Sequence, residues 1–170
     1  MIDSNMQPNM QHAETFLTRL AEGVEHFTFQ TFDDRKDRKN PELTRIFHGS
    51  LDQHFSELVS LNLSGAGIFV TVNETDFKGR KTENIVAIRA VFQEADRTGV
   101  PIPALTPHIV VQSSPGKFHR YWLTHGGADA MREFKQVMAA MVREYGSDPN
   151  AKDVSRVLRV PGFFHQKEPT

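Results

Sequence analysis

Eleven residues, Ile85 to Ala95, constrain the fold of this chain more than any other stretch. Side chains alternate between faces along a strand. One face carries Val86, Ile88, Ala90, Phe92, Glu94 and, just beyond, Asp96: apolar for four positions, then acidic. The other carries Ile85, Ala87, Arg89, Val91, Gln93 and Ala95. Two carboxylates two residues apart at the end of a buried strand point the same way and repel each other. Either a cation lies between them, Mg²⁺ or Mn²⁺ being suited to carboxylate oxygens, or the strand ends in a solvated acidic turn before Arg97.

Around this strand the pattern interleaves helices and strands. A short amphipathic helix is expected over Ala13 to Ala21, closed by Gly23, and a strand over His26 to Phe32. The run from Asp33 to Pro41 is charged throughout, which reads as a solvated connection or a DNA-touching loop. Ser50 is a good N-cap for a helix through Leu61, and Ile68 to Val72 is a β-branched strand leading into a polar turn over Asn73 to Lys81. Beyond a proline-rich loop, His108 to Gln112 and Phe118 to Thr124 form a hairpin, with Trp122 in the core. Ala128 to Tyr145 is a long helix stopped by Gly146, its methionine stripe being core packing. The result is an α+β domain with an antiparallel or mixed sheet. Residues 1–11 read as a frayed polar tail and 12–170 as a single domain, trimmed at its C-terminal end.

Composition narrows the chemistry. Without cysteine there are no disulfides, thiolate zinc sites or cysteine nucleophiles, which fits a reducing cytoplasm. No apolar run approaches the ~20 residues that span a bilayer. A net charge of −1 argues against a long grip on duplex DNA, so nucleic-acid contact must be local or supplied by another part of a larger protein. A nicking initiator is disfavoured, because the chain has only Tyr121 and Tyr145 and no His-x-His pair.

Two further segments concentrate functional groups. In the hairpin Gln112 to Trp122, Ser114, Gly116 and Lys117 offer a hydroxyl, accessible backbone and positive charge, features suited to phosphate oxygens. It is not a P-loop, since no Ser or Thr follows Gly-Lys. His119 in the returning strand is either a structural histidine or a ligand-binding one. The segment Asp148 to Lys167 sets Arg156 and Arg159 three apart, then Pro-Gly, then His165 and Lys167, a basic group beside acids that could hold phosphates.

Together with Phe69 to Asp76, these segments resemble the RepB-like replication primases of plasmids and phages, a branch of the archaeo-eukaryotic primase superfamily. The resemblance covers the chain from about residue 12. It implies a catalytic core of helices packed on a small RRM-like sheet, and a DNA primase activity that joins nucleotides on single-stranded DNA. It implies Mg²⁺ or Mn²⁺ held by Glu94, Asp96 and a late acid, Asp153, with Asp148 as the second choice. Ser114 and His119 match positions that contact the incoming nucleotide, Arg156 and Arg159 match basic positions before Pro-Gly, and Lys117 is expected to join them in holding the nucleotide. Implied partners are the template, nucleoside triphosphates and a replicative helicase. Two departures stand out: Glu94 replaces the usual first Asp, and Gln93 stands where an apolar residue is typical. A catalytically degenerate module that binds single-stranded DNA, nucleotide or a replication partner is the alternative.

Overall fold

The computed structural model describes residues 7–167. Three helices and eight strands follow the order α1 (Met10–Leu20), β1 (His26–Asp33), β2 (Arg45–Ser50), α2 (Leu51–Leu63), β3 (Ala66–Thr71), β4 (Glu74–Thr75), β5 (Ile85–Ala95), β6 (Ile109–Ser114), β7 (Lys117–Gly127), α3 (Met131–Tyr145) and β8 (Val157–Arg159). Short 3₁₀ turns at Pro41–Leu43 and Thr82–Asn84 complete the list.

The sheet divides in two, with orders β2-β1-β3-β8 and β4-β5-β7-β6, and every pairing is antiparallel. One continuous core joins them. Phe27, Phe29, Ile68 and Val70 of the first sheet share it with Ile88, Ala90, Phe92 and Tyr121 of the second. Tyr121 meets Phe16 of α1 with ring centroids 5.5 Å apart. A fully buried side chain such as Phe92 contributes about 2–3 kcal/mol of transfer free energy.

Most elements fall where the sequence pattern put them, β5 to the residue. The Ser50 side chain caps α2 by accepting from the Gln53 amide at 3.2 Å, a bond typically worth about 1 kcal/mol. In α3, Phe134, Met138 and Met141 face the core, and Gly146 ends the helix at φ 60°, a left-handed conformation that glycine adopts without strain.

Besides β4, a two-residue strand inside the expected polar turn, and the later start of α3 at Met131, three features differ from expectation. Helix α1 starts at Met10, because Asn9 caps it by accepting from the His12 amide and donates its own N–H to the Gly162 carbonyl at 2.7 Å. The expected tail therefore loses its last two residues to the helix, while residues 1–6 lie outside the described residues. Strand β2 was not foreseen: Arg45 and Ile46 are exposed on a sheet edge, so it lacks a clear apolar alternation. The charged run after β1 is a connection, yet Asp34 within it is buried.

Candidate active site

Strands of both sheets line one cleft of about 400 Å³. Phe32 and Asp33 come from β1, Phe69 from β3, Glu94 from β5, Ser113 and Ser114 from β6, Lys117 and His119 from β7, and Val157 to Arg159 from β8. Asp34, Asp96, Asp148, Arg156, His165 and Lys167 lie on the connecting segments.

The acidic wall begins with β5. Its inward face stays buried through Ile88, Ala90, Phe92 and Glu94, and Asp96 emerges beyond the strand as an exposed residue. After Gly146 the chain runs back along the end of β5. There the Ser147 hydroxyl accepts the Glu94 amide at 3.1 Å, and the Asp148 amide donates to the Glu94 carbonyl at 3.1 Å. Carboxylate oxygens of Glu94, Asp96 and Asp148 thereby come within 4.8 Å of one another. Asp153 is absent from this group: it is an exposed turn residue whose carbonyl accepts the Arg156 amide. The late acid beside the strand pair is Asp148, the second choice from sequence, because only that residue is tied to β5 by backbone bonds.

Burial raises the Glu94 carboxyl above its ordinary 4.5, and Asp96 and Asp148 add to this, while Arg156 works against it. Arg156 grips Glu94 with two bonds, Nε to Oε1 at 2.6 Å and Nη2 to Oε2 at 3.0 Å. Burial opposes the charge on Arg156, but Glu94, Asp148 and Asp153 together raise its pKa.

The opposite wall is basic and aromatic. Pro115 and Gly116, the latter at φ 74°, make the tight turn that presents Ser114 and Lys117. His119 pairs in register with Glu94, and burial, reinforced by Arg159, Arg156 and Lys167, lowers its pKa to about 3. It is neutral near pH 7, a hydrogen-bonding group rather than a cation. Its Nδ1 is sealed inside without a partner. A buried lone pair costs less than a buried unpaired N–H, so the proton belongs on the other nitrogen.

Arg159 lies over the Phe69 ring at 4.7 Å and is paired with Asp34, which also accepts the Gln166 amide at 2.9 Å. Phe69 meets Phe32 edge-on at 5.5 Å. Gly67 is needed beside them: a Cβ there would lie 2.7 Å from the Phe69 ring and 3.0 Å from Arg159 Nη1. Sequence reasoning missed Asp34, Phe32 and the role of Phe69. Asp34 was hidden in a run of like-looking charges, and nothing local distinguished it.

All of the nucleotide-contact candidates, Ser114, Lys117, His119, Arg156 and Arg159, line the cleft, as do Glu94 and Asp96. Gln93 lies on the outer face of β5, fully buried, its amide donating to the last carbonyl of α3 and to the Pro101 carbonyl in the loop after β5 rather than facing the cleft.

Comparison with known proteins extends this picture. Residues 92–169 match the family model of the RepB DNA-primase N-terminal domain. A curated replication protein of Clostridium perfringens is 26% identical over 139 residues, covering 68% of this chain and 33% of the relative. The chain thus spans about a third of that relative's length. Among solved structures, the AEP domain of the cyanophage S-2L primase-polymerase superposes with a TM-score of 0.74 at 17% identity, covering 95% of this chain and 86% of that one. The crystal structure of primase RepB′ superposes with a TM-score of 0.65 at 18% identity, covering 94% and 52%. The catalytic domain of RepB′ in complex with initiator DNA gives 0.63 at 16% identity, covering 92% and 77%. At these identities the structural likeness is one of fold.

The α+β fold is shared with archaeo-eukaryotic primase domains, the cyanophage AEP domain and primase RepB′ among them. Within that fold, residues 92–169 are similar to the RepB DNA-primase N-terminal domain, and the curated relative and primase RepB′ are similar to the chain in the same direction.

Proposed function

We propose that this chain is a metal-dependent nucleotidyltransferase core that makes primers on single-stranded DNA from nucleoside triphosphates. The observation that carries the reading is the joining, in one cleft, of three clustered carboxylates with Lys117, His119, Arg159, His165 and Lys167. The donor set fits a hard divalent cation: three carboxylates with mutually close oxygens, one of them exposed, leave room for substrate oxygens. Glu94, Asp96 and Asp148 would hold Mg²⁺ or Mn²⁺, which supplies positive charge against the reacting phosphoryl group.

The chain's own groups do the rest. Lys117 and Lys167 bring positive charge to the triphosphate, and Arg159 presents a guanidinium held rigid by Asp34 and Phe69. Ser114 offers a hydroxyl, and neutral His119 donates an N–H without adding charge. Held this way, the nucleotide presents its α-phosphorus to a primer 3′-hydroxyl: the new O3′–P bond forms as the bond to the pyrophosphate oxygen breaks, and the hydroxyl proton passes to solvent water. Arg156 lies between the walls and can serve either the carboxylates or the phosphates.

Primer synthesis on single-stranded templates, with Mn²⁺ or Mg²⁺, tests this. Asp96→Ala should fold normally and lose at least ~100-fold in product. Synthesis by that variant at the unaltered rate would sink the assignment.

One observation favours a second reading. Arg156 occupies both oxygens of Glu94, as expected of a module that binds nucleotide or single-stranded DNA without chemistry. Nucleotide binding with no product from the unaltered protein would identify it. The template and a replicative helicase are the proposed partners, and the cytoplasm the proposed compartment. Among the described residues, no helix is long and apolar enough to cross a membrane.

A further inference from the structure

Gln93 is a polar residue sealed between Val91 and Ala95 on the outer face of β5, and its surroundings explain why. The side chain is 0% exposed. Its Nε2 donates to the Tyr145 carbonyl, the last of α3, at 2.7 Å and to the Pro101 carbonyl at 2.8 Å. Its Oε1 accepts from Arg120 Nη1 at 3.0 Å. An apolar side chain of the same size would fill the space but remove the donor from two part-buried carbonyls and the acceptor from a guanidinium.

The rungs continue along the chain. Tyr145 leads through Gly146 to Ser147, 2% exposed, whose hydroxyl accepts the Glu94 amide, and then to Asp148, whose amide donates to the Glu94 carbonyl. Residues 93–94 and 145–148 are therefore joined by a side-chain rung, a second side-chain rung and a backbone rung. The Asp148 carboxylate accepts from the Asn150 backbone amide and side chain.

We propose that Gln93 and Ser147 are positioning residues: they dock the end of α3 on β5 so that Asp148 completes the carboxylate group begun by Glu94 and Asp96. The Gln at this position is then a functional part of the site and not a mark of decay. The assignment rests on the metal-binding reading given above. It gives α3 and the Pro101 loop, neither of which lines the cleft, a direct mechanical link to the acids.

The test measures Mn²⁺ affinity by electron paramagnetic resonance in the absence of nucleotide, for the unaltered protein and for Gln93→Met, Ser147→Ala and Arg120→Met. The first removes all three side-chain bonds at nearly constant volume, and the second removes one oxygen. Both should weaken Mn²⁺ binding by roughly 10–100-fold, the usual effect of losing a group that orients a metal ligand. Hydrogen exchange at the Asp148 amide should quicken in both, with circular dichroism unchanged. Arg120→Met cuts only the bond that does not lead to Asp148, and its affinity should stay near that of the unaltered protein. If Gln93→Met does not fold, Ser147→Ala decides the matter alone. Equal Mn²⁺ affinity in folded variants and unaltered protein overturns the clamp and leaves the metal reading standing. No Mn²⁺ binding by the unaltered protein overturns the metal reading, and the clamp with it.

Discussion

Two arginine–carboxylate pairs face the same cleft and differ in what surrounds them. Asp34 meets Arg159 with side chains 4% and 12% exposed, and its second oxygen takes the Gln166 amide. Glu94 meets Arg156 with side chains 8% and 28% exposed, and two further acids lie within reach of it. In the first pair charge is balanced and every oxygen has a fixed partner. In the second there are three acids to one guanidinium, an excess of negative charge that a divalent cation would relieve. The first pair is a strut that ties β8 and the chain beyond it to the end of β1. The second sits within the carboxylate cluster, at the centre of the proposed metal site. Burial alone does not distinguish them; the local charge count does.

The largest expected effect separates the two pairs by stability. Asp34→Ala strands a mostly buried guanidinium, so urea denaturation should show a loss of about 3–5 kcal/mol. Mn²⁺ affinity per folded molecule should barely change. A loss below about 1 kcal/mol would mean that Arg159 finds water or another acceptor and that the strut is weak.

Next in size is Arg156→Gln. Removing the one cation gripping Glu94 leaves the acids without their protein counter-charge. Mn²⁺ should then bind several-fold more tightly and raise the melting temperature more than in the unaltered protein, while nucleotide binding weakens. Weaker Mn²⁺ binding in this variant would make the arginine a support of the acidic site rather than a competitor for it.

The smallest effect is a pH dependence in metal-free protein. The folded-state pKa of Glu94 is raised, chiefly by burial. Such a carboxyl contributes stability that is present below its ordinary 4.5 and lost as pH rises through the raised value. Glu94→Gln lacks this titration. The stability of the unaltered protein minus that of Glu94→Gln should therefore fall as pH rises above 4.5. A difference that grows with pH would show that pairing with Arg156 outweighs burial.

Much of the frame was legible in the chain. The alternation through β5 set Glu94 and Asp96 on one face and Gln93 on the other, the serine before α2 marked its start, and Pro115-Gly116 marked the hairpin. These are readings of period two, period 3.6 and turn chemistry, all properties of neighbouring residues. Strand β2 escaped because an exposed edge imposes little pattern on its side chains. The choice between Asp148 and Asp153 escaped because a coil has no period.

By itself, the sequence determined which strand ends in acid, which turn offers Lys117 and Ser114, and which helices are amphipathic, since each depends on backbone geometry over a few residues. Only the tertiary structure decided that Asp148 joins Glu94, that Arg156 holds it from 62 residues away, and that Arg159 is matched by Asp34 from 125 residues away. Those choices follow from how two sheets and the end of α3 pack. A buried charge takes whichever partner the packing brings near, and no local pattern encodes that partner.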